Sequence, residues 1–182
     1  MSREDFRETP ARTLEVCRRD RLSTSLGELL LWHDQRHLLL VCWEAHEMRS
    51  RAEFERHETR GLEVLRRPSS RLGVRDAFAA YFEGEIDALG QIGLVAGGTP
   101  FQRSVWKALL RIMPGGTSTY LQLARLIDRP SASRAVGAAN GANPLPIAIG
   151  CHRILGSNGS LTGYGSGTER KKWLIEHERR HA

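Results

Sequence analysis

The sequence of 182 residues predicts an α+β fold: a small N-terminal α/β domain with an antiparallel β-hairpin sheet, then a mainly helical C-terminal domain with a winged-helix-like helix-turn-helix. Three observations lead there. Two apolar runs around a polar turn, "TSLGELLLWHDQRHLLLVCW" (24–43), read as a β-hairpin. Gly97, Gly98 and Pro100 in "VAGGTPFQ" make the strongest break in the chain and divide it into residues 1–96 and 97–182. Beyond the break the apolar positions switch to helical spacing behind capping residues.

In chain order, the hairpin comes first and further strands are expected to flank it. Residues 48–67, "MRSRAEFERHETRGLEVLRR", are strongly charged with sparse apolar positions, the composition of a solvated helix or a linker-like excursion. "VRDAFAAYFEGEI" (74–86) places Phe78, Tyr81 and Phe82 on one helical face and a stop at Gly84. "TPFQRSVWKALLRIM" (99–113) is a helix with Thr99 as N-cap, Pro100 in its first position, and Phe101, Val105, Leu109 and Ile112 along one face; Trp106 reads as core. After "PGG", "STYLQLARLID" (118–128) begins on Ser and Thr caps and points Leu121, Ala124, Leu126 and Ile127 inward. "SASRAVGAANGA" (131–142) follows as a short helix of small residues, and the two helices outline a helix-turn-helix.

No apolar stretch reaches the roughly 18 to 20 residues that span a bilayer, and "MSREDFRETPARTLEVCRRD" carries charge where a signal peptide needs apolar residues, so a soluble, cytoplasmic protein is expected. Three cysteines without a CxxC pair suggest neither a disulfide framework nor a zinc knuckle. Cys17, Cys42, His33 and His37 fit no common ligand spacing, and no metal is expected. Charge is uneven: residues 1–98 hold 15 Lys and Arg against 17 Asp and Glu, net −2, and residues 99–182 hold 12 against 4, net +8. A polyanion, nucleic acid first, is the partner that such a half suggests. The helix around Arg134 agrees. Ala132, Ala135, Gly137, Ala138, Ala139 and Gly141 let another backbone approach closely, either a packed neighbour or a nucleic-acid groove into which Arg134 projects.

"NPLPIAI" (143–149) is too proline-rich for a helix and reads as an extended strand leading into Gly150, Cys151, His152 and Arg153. Neighbouring side chains of a strand point to opposite sides. Cys151 and His152 therefore form no direct thiol-imidazole pair, and proton transfer between them needs a bridging water. Taken alone, Cys151 reads first as a buried structural thiol rather than a nucleophile.

The runs "TPFQRSVWKALL", "STYLQLA", "SRAVGAAN", "NPLPIAIGCHRI", "GSLTGYGSG" and "KKWLIEHE" resemble, in order over about residues 99–178, the C-terminal domain of the O6-alkylguanine-DNA alkyltransferases. These are also called methylated-DNA–protein-cysteine methyltransferases. "GELLLW" and "FAAYFEGE" suit that family's more variable N-terminal domain. The resemblance implies a suicide alkyltransferase: irreversible, single-turnover DNA repair in which Cys151 takes the alkyl group from O6-alkylguanine, and also from O4-alkylthymine, after nucleotide flipping. Within it, His152 deprotonates the cysteine through a water, Glu178 rather than Glu176 orients the histidine, and Asn143 braces the turn. Tyr120 assists nucleotide rotation and hydrogen-bonds the guanine, and Arg134 is the finger that fills the gap in the duplex. Ser133, Ala135 and Gly137, with Tyr120, complete the DNA-binding set. Tyr164, Gly165, Ile154 and Arg153 wall the substrate pocket. The implied partner is double-stranded DNA held through the minor groove with little sequence preference, by a monomer, with clustering on DNA left open. No cofactor is implied.

The chemistry is coherent. A base inside a stack must be extruded before it can react. A thiolate is the competent nucleophile, so a base relay and nearby cations are needed. Transfer to sulfur leaves a stable thioether, which requires no cofactor. The family usually carries proline where this chain has Gly150. Glycine loosens the approach to the nucleophile, which predicts that Gly150→Pro keeps or raises the rate. The rival reading is a binding protein, either a damage recogniser disabled by Gly150 or a sequence-reading regulator; the latter suits poorly a helix of Ala and Gly, which offer base edges no hydrogen bonds.

Overall fold

Leu29–Trp32 and Leu38–Trp43 are apolar at every position, the pattern of strands covered on both faces. In the computed structural model, which describes residues 17–34, 37–58, 62–69 and 72–182, they lie in β2 (Gly27–His33) and β3 (His37–Trp43) of a five-stranded sheet. Residues 1–16, where the predicted first domain and the charged amino terminus begin, lie outside the described residues. β1 (Arg18–Thr24) pairs antiparallel with β2, and β2 with β3, in the register Leu22↔Leu29 and Leu29↔Trp43. The hairpin is therefore as predicted, with one flanking strand added.

The rest of the sheet comes from segments not predicted as strands, the sequence predicting a solvated helix or a linker-like excursion over 48–67. Residues 48–67 resolve into α1 (Glu47–Glu58) and the edge strand β4 (Leu62–Arg66). β4 pairs antiparallel with β5 (Gly93–Gly97), and β5 pairs parallel with β3, so the strand order is β1-β2-β3-β5-β4. That parallel pair makes the sheet mixed rather than purely antiparallel; a parallel neighbour requires a long crossover, here α1, β4 and α2 (Val74–Glu83). The predicted division at 96/97 falls at the end of β5.

Each face of the sheet has its own cover. Leu30, Trp32, Leu40 and Cys42 pack with Phe54 of α1. Leu29, Leu31 and Trp43 face the other way, onto Phe78 and Tyr81 of α2. This second cluster continues through Trp106, Leu123 and Val136, so one core joins the sheet to the C-terminal helices. α2 ends at Gly84, whose φ of 108° suits glycine alone.

The C-terminal helices follow their caps. α3 (Pro100–Leu109) starts in a capping box of Thr99 and Gln102, and buried Trp106 donates its indole N–H to Ala139 O at 2.9 Å. α4 (Tyr120–Leu126) starts in a second box, Thr119 with Gln122. Its inner face differs from the predicted one. Leu123 and Ala124 are buried with Tyr120 and Ile127 beside them, whereas Leu121 and Leu126 are 40% and 44% exposed. The cap at Thr119 sets the stripe at 120, 123, 124 and 127, the i, i+3, i+4, i+7 pattern on which α5 (Ser133–Gly141) packs. A parallel bridge of β6 (Ser118–Thr119) with β7 (Ile154–Leu155) ties the start of α4 to the segment after the cysteine, and α6 (Thr168–His181) closes the fold. Among the described residues no helix is long and apolar enough to cross a membrane.

Candidate active site

The predicted strand at 143–149 is instead a tight series of turns. Asn143 supplies the reason: its Oδ1 accepts from Leu145 N at 2.9 Å and its Nδ2 donates to Ile149 O at 3.0 Å, so a side chain takes the place of a strand partner. Ile149 N donates to Leu145 O at 2.8 Å, and Ile147 sits at φ 74°. Gly150 (φ −67°, ψ 54°) makes an inverse γ-turn closed by Cys151 N donating to Ile149 O at 2.7 Å. Cys151–Arg153 then form one 3₁₀ turn. In such a turn successive side chains project about 120° apart. The expected separation of Cys151 from His152 holds, for a helical rather than an extended reason, and no hydrogen bond joins the two side chains.

His152 is wholly buried and turns toward α6, where its Nε2 lies 2.9 Å from Glu178 Oε1. Among the described residues its Nδ1 has no partner. Glu178 is the hub: Oε1 also accepts from Arg153 Nη2 at 2.8 Å and from the Tyr81 hydroxyl at 3.0 Å, and Oε2 accepts from Arg153 Nε at 2.9 Å and Gly115 N at 3.0 Å. Burial alone would push this carboxyl up, but the His152 and Arg153 hydrogen bonds and charges hold it well below the usual carboxylate range. Glu176, the sequence rival, is exposed and, among the described residues, its carboxylate pairs with Lys172 at 4.0 Å.

The thiol lies in an unusual field. Burial pushes the Cys151 thiol up, against which act a hydrogen bond from Asn143 and the charges of Lys171 and Arg153. Burial likewise pushes His152 down, with Glu178 opposing. Lys171 is the residue that sequence reasoning missed. Fully buried on α6, it donates from Nζ to Ile154 O and Thr162 O, both at 2.5 Å. The signal was present: residues 171, 174, 175 and 178 form one i, i+3, i+4, i+7 stripe, so Lys171 shares the inner face of Leu174 and Ile175. Asn140 was missed as well; its Nδ2 donates to Cys151 O at 3.3 Å.

Cys151 is 5% exposed, yet it forms part of the wall of a cavity of about 80 Å³. Asn140, Asn143, Tyr164 and Gly165 line that cavity from the C-terminal half, and Trp43 and Arg49 from the sheet and α1. Tyr164 and Gly165 thus line the same cavity as Cys151. Ile154 and Arg153 do not line it: Ile154 is a buried residue of β7 itself, and the Arg153 guanidinium is turned to Glu178 and to Ile112 O at 2.6 Å. The structure corrects the pocket set accordingly: Arg153, within the 3₁₀ turn, faces Glu178, and Ile154, past its end at φ −93° and ψ 121°, runs extended into β7. Tyr120 does not line it either: its hydroxyl lies 3.4 Å from Thr162 O and its ring against Gly137, with burial and the nearby Cys151 raising its phenol. Gly137 therefore supports Tyr120. Ser133, Arg134 and Ala135 open α5, with Arg134 and Ala135 exposed.

Gly150 gains a physical reason that sequence could not supply. A Cβ there would stand 2.6 Å from Arg153 Nε and 2.7 Å from its Cδ and Cζ. The backbone φ of −67° suits proline, but the guanidinium is pinned by Glu178 and Ile112 and has no room to give. Gly150→Pro is thus expected to lower stability by about 1–3 kcal/mol through overpacking and to slow the thiol's reactions, the reverse of the looseness expectation. Denaturant melts and thiol alkylation rates of the variant check this.

The profile of the 6-O-methylguanine DNA methyltransferase DNA-binding domain matches residues 100–180. A methylated-DNA–protein-cysteine methyltransferase of Salmonella typhimurium is 42% identical over 163 residues, covering 87% of this chain and 94% of the relative. The crystal structure of Mycobacterium tuberculosis O6-methylguanine methyltransferase superposes with a TM-score of 0.69 at 34% identity, over 91% of this chain and 94% of that one. A structure of the Mycobacterium tuberculosis protein in complex with DNA gives 0.66 at 32% identity, over 89% and 92%.

Proposed function

The chain belongs to the methylated-DNA–protein-cysteine methyltransferase family, and from that premise we propose that it repairs duplex DNA by moving the alkyl group of O6-alkylguanine, and of O4-alkylthymine, onto Cys151. One observation carries the reading: Cys151 walls a cavity while its neighbour His152 is held by Glu178 with Nδ1 left over for a proton.

The sulfur must first lose its proton. Burial keeps the resting thiol protonated, and His152 Nδ1, reached through a water, takes the proton as the reaction begins. Lys171 and the Arg153 guanidinium supply positive charge for the developing thiolate. The sulfur lone pair attacks the alkyl carbon, the C–S bond forms as the C–O6 bond breaks, and the electron pair passes to the guanine ring. That ring finally holds the proton that Cys151 gave up, with the Tyr120 phenol aiding departure. The thioether is stable, so each molecule acts once. Tyr164 and Gly165 wall the base site.

Extrusion of the nucleotide falls to α5. Arg134 fills the stack, and Ser133, Ala135 and the +8 half-charge hold the minor groove with little sequence preference. The protein acts as a monomer in this reading, residues 1–96 serving as support and 97–182 binding DNA and accepting the alkyl group.

Two tests follow. Incubation with a duplex carrying O6-methylguanine should add one methyl group to the intact mass, and Cys151→Ala should abolish the gain; tight binding with no gain indicates a damage recogniser instead. The pH profile gives the second. Burial lowers His152 from its ordinary 6.5, so the imidazole stays neutral below that pH and the rate should hold through 6.5 and fall only in more acid solution. Stability moves the same way. The unfolded chain binds protons at His152 below 6.5 and at Glu178 below 4.5 while the folded one resists both, so stability present above those values is lost on acidification. Urea midpoints across pH 4–7 measure it.

A further inference from the structure

Gly163, Tyr164, Gly165 and Ser166 form the stretch of loop that lines the Cys151 cavity shortly before α6 begins. Two of the four are glycines, Gly163 at φ 67°, so the path of this stretch depends on what holds its ends. Consecutive residues of α6 do so. Lys171 Nζ donates to Thr162 O at 2.5 Å on one side, and Arg170 Nη1 donates to Ser166 O at 2.9 Å on the other. The rest of the Arg170 fork reaches into the other half of the chain. Its Nε and Nη2 donate to Leu26 O, at 3.2 and 3.1 Å, in the turn between β1 and β2. That turn is itself locked, because Leu26 N donates to Thr24 Oγ1 at 3.1 Å and the Thr24 hydroxyl donates to Gly27 O at 2.7 Å. The guanidinium also lies 4.6 Å over the ring of Trp43, a residue of β3 that lines the same cavity. Arg170 does not line the cavity; it joins two of its walls, the loop and Trp43, from outside.

We propose that Arg170 is a positioning residue for this loop, and that its fork, by fixing Ser166 against the β1–β2 turn, limits the size of the O6 group that the acceptor site takes. Guanidinium chemistry suits the task. The fork is planar, holds two carbonyls at once and stacks on an indole in the same pose, which an ammonium on a flexible stem cannot do. With the fork in place the loop keeps a small group close to the sulfur. Without it the 163–166 stretch moves outward more easily, which relieves the crowding of a bulky group and loosens the placing of a small one. Arg170 touches no reacting atom, so bond making is unchanged: sulfur attacks the carbon joined to O6 and the guanine leaves. The inference rests on the alkyl-transfer reading.

A competition in one tube tests it. Limiting protein meets equal excesses of two duplexes that differ only in carrying O6-benzylguanine or O6-methylguanine, and the two adducts on the Cys151 peptide are counted by mass spectrometry. Arg170→Ala should raise the benzyl-to-methyl ratio about fivefold over the parent, the worth of one hydrogen bond. The ratio is internal to each sample, so a smaller folded fraction, the sole effect expected of a merely structural residue, leaves it unmoved. Arg170→Lys covers the case of an alanine variant that does not fold: it keeps the charge, loses the fork and should raise the ratio as well. A ratio at or below the parent's in either folded variant overturns the inference. The parent with the O6-methylguanine duplex alone separates the two failures: methyl on Cys151 with unraised ratios overturns this positioning role alone, and no methyl overturns the transfer reading with it.

Discussion

Glu178→Ala is expected to destabilise the protein by about 3–5 kcal/mol, because it strands the buried Arg153 guanidinium without its counter-charge. The same change leaves the Tyr81 hydroxyl, Gly115 N–H and His152 Nε2 without their acceptor. Urea denaturation measures the loss. The positioning role needs a separate readout, since a purely structural carboxylate would not move the titration of the relay. Glu178→Gln keeps the shape and one acceptor oxygen but removes the charge that opposes burial at His152. The acid limb of the transfer rate should then shift to lower pH in whatever fraction stays folded; an unmoved limb would make Glu178 structural only.

Arg134→Ala should slow repair of duplex O6-methylguanine by about 100-fold, the equivalent of the few kcal/mol that unstacking costs when nothing fills the gap. The residue is exposed at the start of α5, so little stability is at stake. Reaction with free O6-benzylguanine, which needs no extrusion, should keep its rate. Equal losses on both substrates would remove the finger role and leave Arg134 as one more basic contact.

How far the sequence reached depended on the range of the forces involved. Local rules placed the caps at Thr99 and Thr119, the stop at Gly84 and the hairpin of β2 and β3, since each is decided within a few residues. β4 and β5 were missed because their pairing with each other and with β3 is decided by partners remote in the chain. The inner face of α4 was misread for a related reason: Leu121 and Leu126 are apolar, but the cap phase sends Leu123 inward. In the site, the family resemblance named Cys151, His152, Asn143 and Glu178, and the structure places Asn143 in the turns before Cys151 and His152, with Glu178 on the helix beside them. The resemblance could not foresee that the turn is 3₁₀, with Arg153 aimed at Glu178, or that Ile154 starts a strand off the cavity. Nor could it tell that Gly150 leaves the volume that the Arg153 side chain occupies. Lys171, hidden in the charged run "ERKKW", was recoverable only by reading the helical stripe through Leu174 and Ile175.

The central claim is that the Cys151 sulfur is the alkyl acceptor, and peptide mapping after reaction with a stoichiometric O6-methylguanine duplex tests it. Burial pushes Cys17 and Cys42 up to about 11 and about 12, so neither competes as a thiolate. One methyl per molecule, found on the peptide that contains Cys151 and not increasing with excess duplex, is the expected result. Methyl on Cys17 or Cys42, or repaired DNA with all three thiols unmodified, would contradict it.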